Sequence, residues 1–118
     1  AERHQVVESY KFVYELQNCQ VSSNRVTCHL TILNKGDDRT VSIWHGKMFD
    51  DKNNEYADSE IRIGNAKNTK RLLTGIPVKA SLTFKGVFPA LEKIPLVEIY
   101  ASVASGEWLK FRDVPLKK

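Results

Sequence analysis

Three stretches of the chain alternate apolar and polar residues with a period of two. This alternation restricts the fold more than any other feature of the sequence. In "VTCHLTILN", Val26, Cys28, Leu30 and Ile32 alternate with Thr27, His29 and Thr31. In "VKASLTF", Val78, Ala80, Leu82 and Phe84 alternate with Lys79, Ser81 and Thr83. "VEIYASV" sets Val97, Ile99, Ala101 and Val103 against Glu98, Tyr100 and Ser102. Successive side chains of a strand point to opposite faces, so each stretch predicts a strand with one buried side. β-Branched and aromatic residues, which suit such surfaces, dominate the runs.

Turn-forming clusters separate these runs: "SSN" (22–24), "NKGDD" (34–38), "DDKNN" (50–54), "IGNAKN" (63–68), "TGIP" (74–77), "FPALEKIP" (88–95) and "ASGE" (104–107). One falls about every 10 residues, the rhythm of an all-β sandwich or barrel. Strands are predicted near 8–17, 19–22, 25–34, 40–49, 54–63, 76–85, 96–103 and 107–114. Residues 64–74 are read as a loop with at most one helical turn. Pro77, Pro95 and Pro115 are placed at strand edges, where a missing N–H is tolerated. The expected architecture is an antiparallel two-sheet sandwich.

With 118 residues, the chain suits one domain around a single core. Its hydrophobic and charged fractions, 42% and 27%, are those of a folded globular protein rather than a disordered one. No apolar run approaches the ~18 residues of a membrane-spanning helix. The formal net charge of +4 permits an acidic partner without requiring one. A start at Ala1, with neither Met nor an apolar leader, is expected of a chain trimmed or relieved of a signal peptide.

Both cysteines lie in "NCQVSSNRVTCHLTILNKG" (18–36). If Cys19 faces Cys28, then Gln20 faces Thr27, Val21 faces Val26 and Ser22 faces Arg25, leaving Ser23-Asn24 as a two-residue turn. In such a hairpin Cys19–Cys28 falls at a non-hydrogen-bonded pair, where side chains approach closely enough for a disulfide. A zinc site would need about four ligands at regular spacing, and His4, His29 and His45 follow none. There is no C-x-x-C redox motif, and no base is identifiable beside either cysteine. A structural disulfide is therefore expected, and with it an oxidising compartment, periplasmic or extracellular. Phe12, Tyr14 and Leu16 share one face, whereas Cys19 follows Leu16 by an odd step. A β-bulge near Gln17-Asn18 would reconcile them.

The segments "CQVSSNRVTCHLTILNKGDDRTV", "MFDDKNNEY", "LLTGIPVKASLTFKGV" and "LKFRDVPL" resemble a broad group of secreted bacterial immunoglobulin-like β-sandwich domains, including extracellular-antigen-like modules of unknown function. The shared features are a V-T-x-x-N-x-G-D strand and turn, a D-x-x-N/G-x-x-Y hairpin and an L-x-x-G-x-P-x-x-x-x-x-F strand, across roughly residues 10–116. The resemblance implies an immunoglobulin-like sandwich of seven or eight strands over 9–116, preceded by an N-terminal extension over 1–8. It carries no catalytic residues. A local hairpin disulfide at Cys19–Cys28 departs from antibody domains, whose disulfide bridges two sheets.

Candidate chemistry is sparse. "FDDKNNEY" gathers Asp50, Asp51, Asn53, Asn54 and Glu55, oxygen ligands suited to Ca²⁺ but without EF-hand spacing; a solvated hairpin turn explains the same residues. "KNTKR" adds Lys67, Lys70 and Arg71 without a phosphate-binding pattern. Neither G-x-S-x-G nor H-E-x-x-H occurs, so no enzyme activity, metal site or cofactor is expected. The sharpest feature is "EWLKFR", where alternation buries Leu109 and Phe111 and turns Trp108, Lys110 and Arg112 outward. The same rule turns out Trp44 in "TVSIWHG" and Tyr100 in "VEIYASV". If these three strands are neighbours, Trp44, Tyr100, Trp108, Lys110 and Arg112 form an aromatic–basic binding patch. The alternative for Trp44 is a core position, as immunoglobulin-like domains often have on that strand. The expected function is a non-catalytic binding or adaptor module of the bacterial cell envelope. Its partner would be another envelope or secreted protein, with no nucleic acid involved. The alternative is an accessory protein or carrier recognising an anionic ligand or polymer through basic residues.

Overall fold

Alternation in the sequence becomes burial in the structure. Val26, Cys28, Leu30 and Ile32 are buried, as are Ala80, Leu82 and Phe84, and Val97, Ile99 and Ala101. Only Val78 and Val103, at the ends of their runs, are partly covered. The structure is a computed structural model that describes residues 5–86 and 91–117, so part of the expected 88–95 turn lies outside the described residues. Among them are nine strands: β1 (Gln5–Ser9), β2 (Phe12–Ser22), β3 (Arg25–Asn34), β4 (Arg39–Phe49), β5 (Glu55–Ile63), β6 (Thr69–Leu72), β7 (Val78–Lys85), β8 (Lys93–Ser102) and β9 (Gly106–Lys117). Phe12, Tyr14, Phe84 and Phe111 are the largest fully buried side chains. Each removes enough apolar surface from water to contribute about 2–3 kcal/mol. No helix among the described residues is long and apolar enough to cross a membrane.

The all-β expectation holds, but the immunoglobulin-like two-sheet sandwich does not. Strands β2-β3-β7-β5-β4-β8-β9 follow one another around a closed seven-stranded barrel, sealed by parallel pairing of Cys19 with Leu116 and Gln20 with Lys117. β1 and β6 are additional. β1 pairs with the first half of β2, and β6 with the first half of β4. The predicted loop at 64–74 thus contains a strand. Residues 5–8, within the expected N-terminal extension, belong to β1, and residues 1–4 lie outside the described residues. Pro95 and Pro115, expected at strand edges, fall within β8 and β9, with Pro95 beyond the last β4 partner of β8, Leu96.

What closes the barrel is a bulge in each strand that changes partner. β2 leaves β1 after Leu16 and meets β9 from Cys19, with its register shift between Leu16 and Asn18. This is the predicted bulge at Gln17. β4 passes from β6 to β5 with a shift between Ile43 and His45, and β5 passes from β4 to β7 with one between Asp58 and Glu60. A bulge bends its strand and increases the local twist, which lets a sheet turn a corner. A sandwich and a small barrel share the same period of two, so alternation alone does not separate them.

Side chains satisfy the backbone where the ladders part. Asn68 accepts from Ile43 N (2.8 Å) through its backbone carbonyl and donates to Ile43 O (3.1 Å) through its side-chain amide. Asp58 Oδ1 accepts from Gly46 N at 2.9 Å. At the other seam, Gln5 Oε1 accepts from Arg112 N at 2.9 Å while Gln5 Nε2 donates to Arg112 O. The Gln5 amide thus stands in for a strand residue beside β9. At one end of the barrel the buried Asn34 donates to Asp37 O (2.7 Å) and Leu72 O (2.9 Å) and accepts from Gly36 N (2.9 Å).

The hairpin register is the one the cysteines require. Cys19 faces Cys28, Val21 faces Val26, and the two are joined by a disulfide with Cα atoms 4.0 Å apart. Ser23 and Asn24 have φ of 51° and 60°, the left-handed pair of a two-residue hairpin turn.

Candidate functional site

β4, β8 and β9 are consecutive neighbours, as the patch requires, and their register arranges the outward residues in rows. His45, Tyr100 and Trp108 form one row; Lys47, Glu98 and Lys110 the next; Phe49, Leu96 and Arg112 the third. Tyr100 and Trp108 stack obliquely, their ring centroids 5.1 Å apart. His45 lies 6.1 Å from Tyr100 on the opposite side, and Lys47 Nζ sits 5.2 Å above the Trp108 ring. Lys110 lies 3.9 Å from the mostly covered carboxylate of Glu98. Trp108 is 39% exposed and Trp44 48%, both among the exposed large hydrophobic residues. Lys110 and Arg112 are exposed and Tyr100 is half-buried.

The structure therefore brings Tyr100, Trp108, Lys110 and Arg112 onto one face. Trp44 also points outward rather than into the core, but it is the extra residue of the β4 bulge and stacks on none of the others. Its bulge explains what strict alternation misses. After Trp44 the period of two would turn His45 inward. Instead Trp44 and His45 are both exposed and Gly46 is buried. A Cβ on Gly46 would collide with Leu82 and come within 3.5 Å of Phe84. A glycine inside a strand is the sequence signal for such a bulge and close approach. His45, Lys47 and Glu98 complete the face.

Gly106 serves the site in a different way. Tyr100 lies directly over it, so that a Cβ there would collide with the phenol ring. Gly106→Ala is expected to push Tyr100 off Trp108 while changing stability by no more than about 1 kcal/mol, because the position is exposed. A shifted Trp108 indole N–H resonance with a nearly unchanged unfolding midpoint would bear this out. An unmoved resonance would contradict it.

The other candidate residues are engaged locally. Asp50 accepts four hydrogen bonds: from Lys52 N (2.9 Å), Asn54 N (2.8 Å), Asn54 Nδ2 (3.0 Å) and Tyr56 Oη (3.0 Å). Its carboxylate organises the hairpin turn, as the solvated-turn reading expects. The Asn54 side chain, followed by backbone N–H groups and Tyr56, holds the Asp50 carboxyl down at about 2. Because the folded value is depressed, the stabilising contribution is present above the unfolded value near 4 and is lost as pH falls through about 2. The Asn54 amide resonance is therefore expected to titrate with a midpoint near 2, and a midpoint near 4 would contradict this geometry. In "KNTKR", Lys70 donates to Asn65 Oδ1 (2.9 Å) and Arg71 lies 3.7 Å from Asp38.

Compared with known proteins, the chain matches no family model and no curated sequence.

Proposed function

We propose that this chain is a non-catalytic binding module that docks another protein on the outer face of β4, β8 and β9. The observation that carries the reading is the stacked pair of half-buried Tyr100 and exposed Trp108, with Trp44 also exposed on the outer side of β4. Trp, Tyr and Arg are the residues most enriched at interface hot spots, and clustered exposed aromatics on a rigid sheet cost little entropy to bury. The disulfide supports an oxidising compartment, the periplasm or the extracellular medium. The resemblance of several segments to secreted bacterial domains supports the same compartment.

One observation favours a second reading, recognition of a small anion. A cleft of about 510 Å³ beside the β1–β2 turn is lined by Lys11, Lys35 and Arg39. Two of these cations are already engaged. Lys35 pairs with Glu8 at 3.0 Å, and Arg39 donates to Tyr10 O at 2.6 Å while lying 4.7 Å above the Phe12 ring. Protein docking is the better supported reading.

The test is crosslinking capture from bacterial envelope extract, comparing the wild-type chain with Trp108→Ser. A protein retained by the first and lost from the second is the expected result. Identical capture by both overturns the docking face. Acrylamide is expected to quench both tryptophans, because both rings reach solvent. A protected Trp108 would remove the basis of the reading.

A further inference from the structure

The charges on the proposed face are not evenly matched. Lys47 lies 3.7 Å from Glu55, on the neighbouring strand, and Lys110 lies 3.9 Å from Glu98. Each carboxylate of the face thus already has a lysine. Arg112 has none: among the described residues its guanidinium makes no ion pair or hydrogen bond. It is nevertheless held in place. Gln5 engages both its N and its O, so the residue projects from a backbone tied on both edges, to β8 on one side and to Gln5 on the other. Its cross-strand neighbour is Leu96, and Phe49 lies beyond that, both half-buried. An unpaired guanidinium beside apolar surface becomes a strong, directional carboxylate receptor once a partner excludes water.

We infer that the partner contributes a protein segment in which a carboxylate adjoins an aromatic or aliphatic side chain, the carboxylate meeting Arg112 and the apolar group the Tyr100–Trp108 row. This rests on the docking reading above and specifies its partner. A second copy of the chain fits poorly, because its matching face offers no carboxylate that lacks a lysine. An anionic polymer also fits poorly. It needs several free cations in line, and among the described residues this face has a single unpaired one next to two apolar or aromatic rows.

The experiment is selection of a random linear peptide library displayed on phage against the immobilised wild-type chain. Synthetic versions of the enriched peptides are then measured against wild type, Arg112→Glu and Trp108→Ser. The chain has two tryptophans, both on this face, so their indole N–H resonances report binding directly. Both substituted positions point outward, and a circular dichroism melt verifies that each variant is folded.

The expected peptides carry Asp or Glu adjoining an apolar residue and move both indole signals. They lose affinity by at least about tenfold in Arg112→Glu. Their binding weakens only a few-fold between ~0.05 and ~0.5 M salt, as suits a single desolvated pair. Peptides without carboxylates overturn the inference. So does binding that is lost in Trp108→Ser yet intact in Arg112→Glu, an outcome that leaves the docking face standing. Binding that neither variant affects, or a selection that enriches nothing, overturns both. Polygalacturonate binding that exceeds the peptides' and ignores Trp108→Ser overturns both in favour of a polyanion.

Discussion

Asn34→Ala is expected to lower the unfolding free energy by about 3 kcal/mol or more, a large share of the stability of a domain this size. The residue is fully buried. Its amide donates to Asp37 O and Leu72 O, and its carbonyl oxygen accepts from Gly36 N and, at 3.4 Å, from Arg39 Nη2. Its own backbone carbonyl accepts from Gly75 N at 2.8 Å. One side chain thus ties the β3–β4 loop to the end of β6, and through Arg39 to the β1–β2 turn. Alanine removes the side-chain bonds together, takes one donor each from Leu72 O and Asp37 O, and leaves Gly36 N without its acceptor. A deleted partner costs more than the bond it made, because the orphaned group remains desolvated. Urea unfolding should show a lower midpoint with an unchanged slope. A loss under about 1 kcal/mol would mean that water enters and satisfies the loop carbonyls, and that the hub is dispensable.

The second large effect is expected at the disulfide. Replacing Cys19 and Cys28 together with alanine should cost about 2.5–3 kcal/mol, the loop-closure entropy released to the unfolded chain by so short a ring. The location adds a local consequence. Cys19 is paired with Leu116 across the parallel seam that closes the barrel, a seam of two residue pairs among the described residues. Hydrogen exchange in the double variant is expected to accelerate most in residues 19–22 and at Lys117, and less along the β3–β7 ladder, which has eight pairs. Uniform acceleration would mean that the bond acts on the unfolded chain alone. A stability change under about 1 kcal/mol would mean that the hairpin turn sets the register without the staple.

The sequence was most legible where burial and alternation coincide. β3, β7 and β8 have one face inside, apart from Val78 at the start of β7, so their residue types declare them. The disulfide was legible because a two-residue turn at Ser23-Asn24 sets Cys19 opposite Cys28, and the bulge at Gln17 because the inward set Phe12, Tyr14 and Leu16 cannot share parity with Cys19. β6 was illegible because "TKRL" buries one residue, Leu72, and owes its conformation to β4. β1 was equally weak: its residues are half-buried or exposed, with no apolar face to announce it. Barrel closure could not be read, because it depends on two pairs between Cys19-Gln20 and Leu116-Lys117, nearly the whole chain apart. At the candidate site, the outward parity of Trp44, Tyr100, Trp108, Lys110 and Arg112 was readable. The rows that join Tyr100 to His45, and Lys47 to Glu98, needed the cross-strand register.

Each of the three bulges adds one residue to its strand. In each, two successive residues point outward: Gln17 and Asn18, Trp44 and His45, Ser59 and Glu60. Striking out the first of each pair would leave an uninterrupted alternating strand with every inward residue still inward. A flatter sheet of unbulged strands and this barrel would then differ by single residues at three corners. At two of those corners the added residue also bonds the neighbouring strand: Gln17 Nε2 donates to Thr31 Oγ1 at 3.2 Å and Ser59 Oγ to Thr83 O at 3.1 Å. At the third it is Trp44, so one residue both turns the strand and places an indole on the outer side of β4.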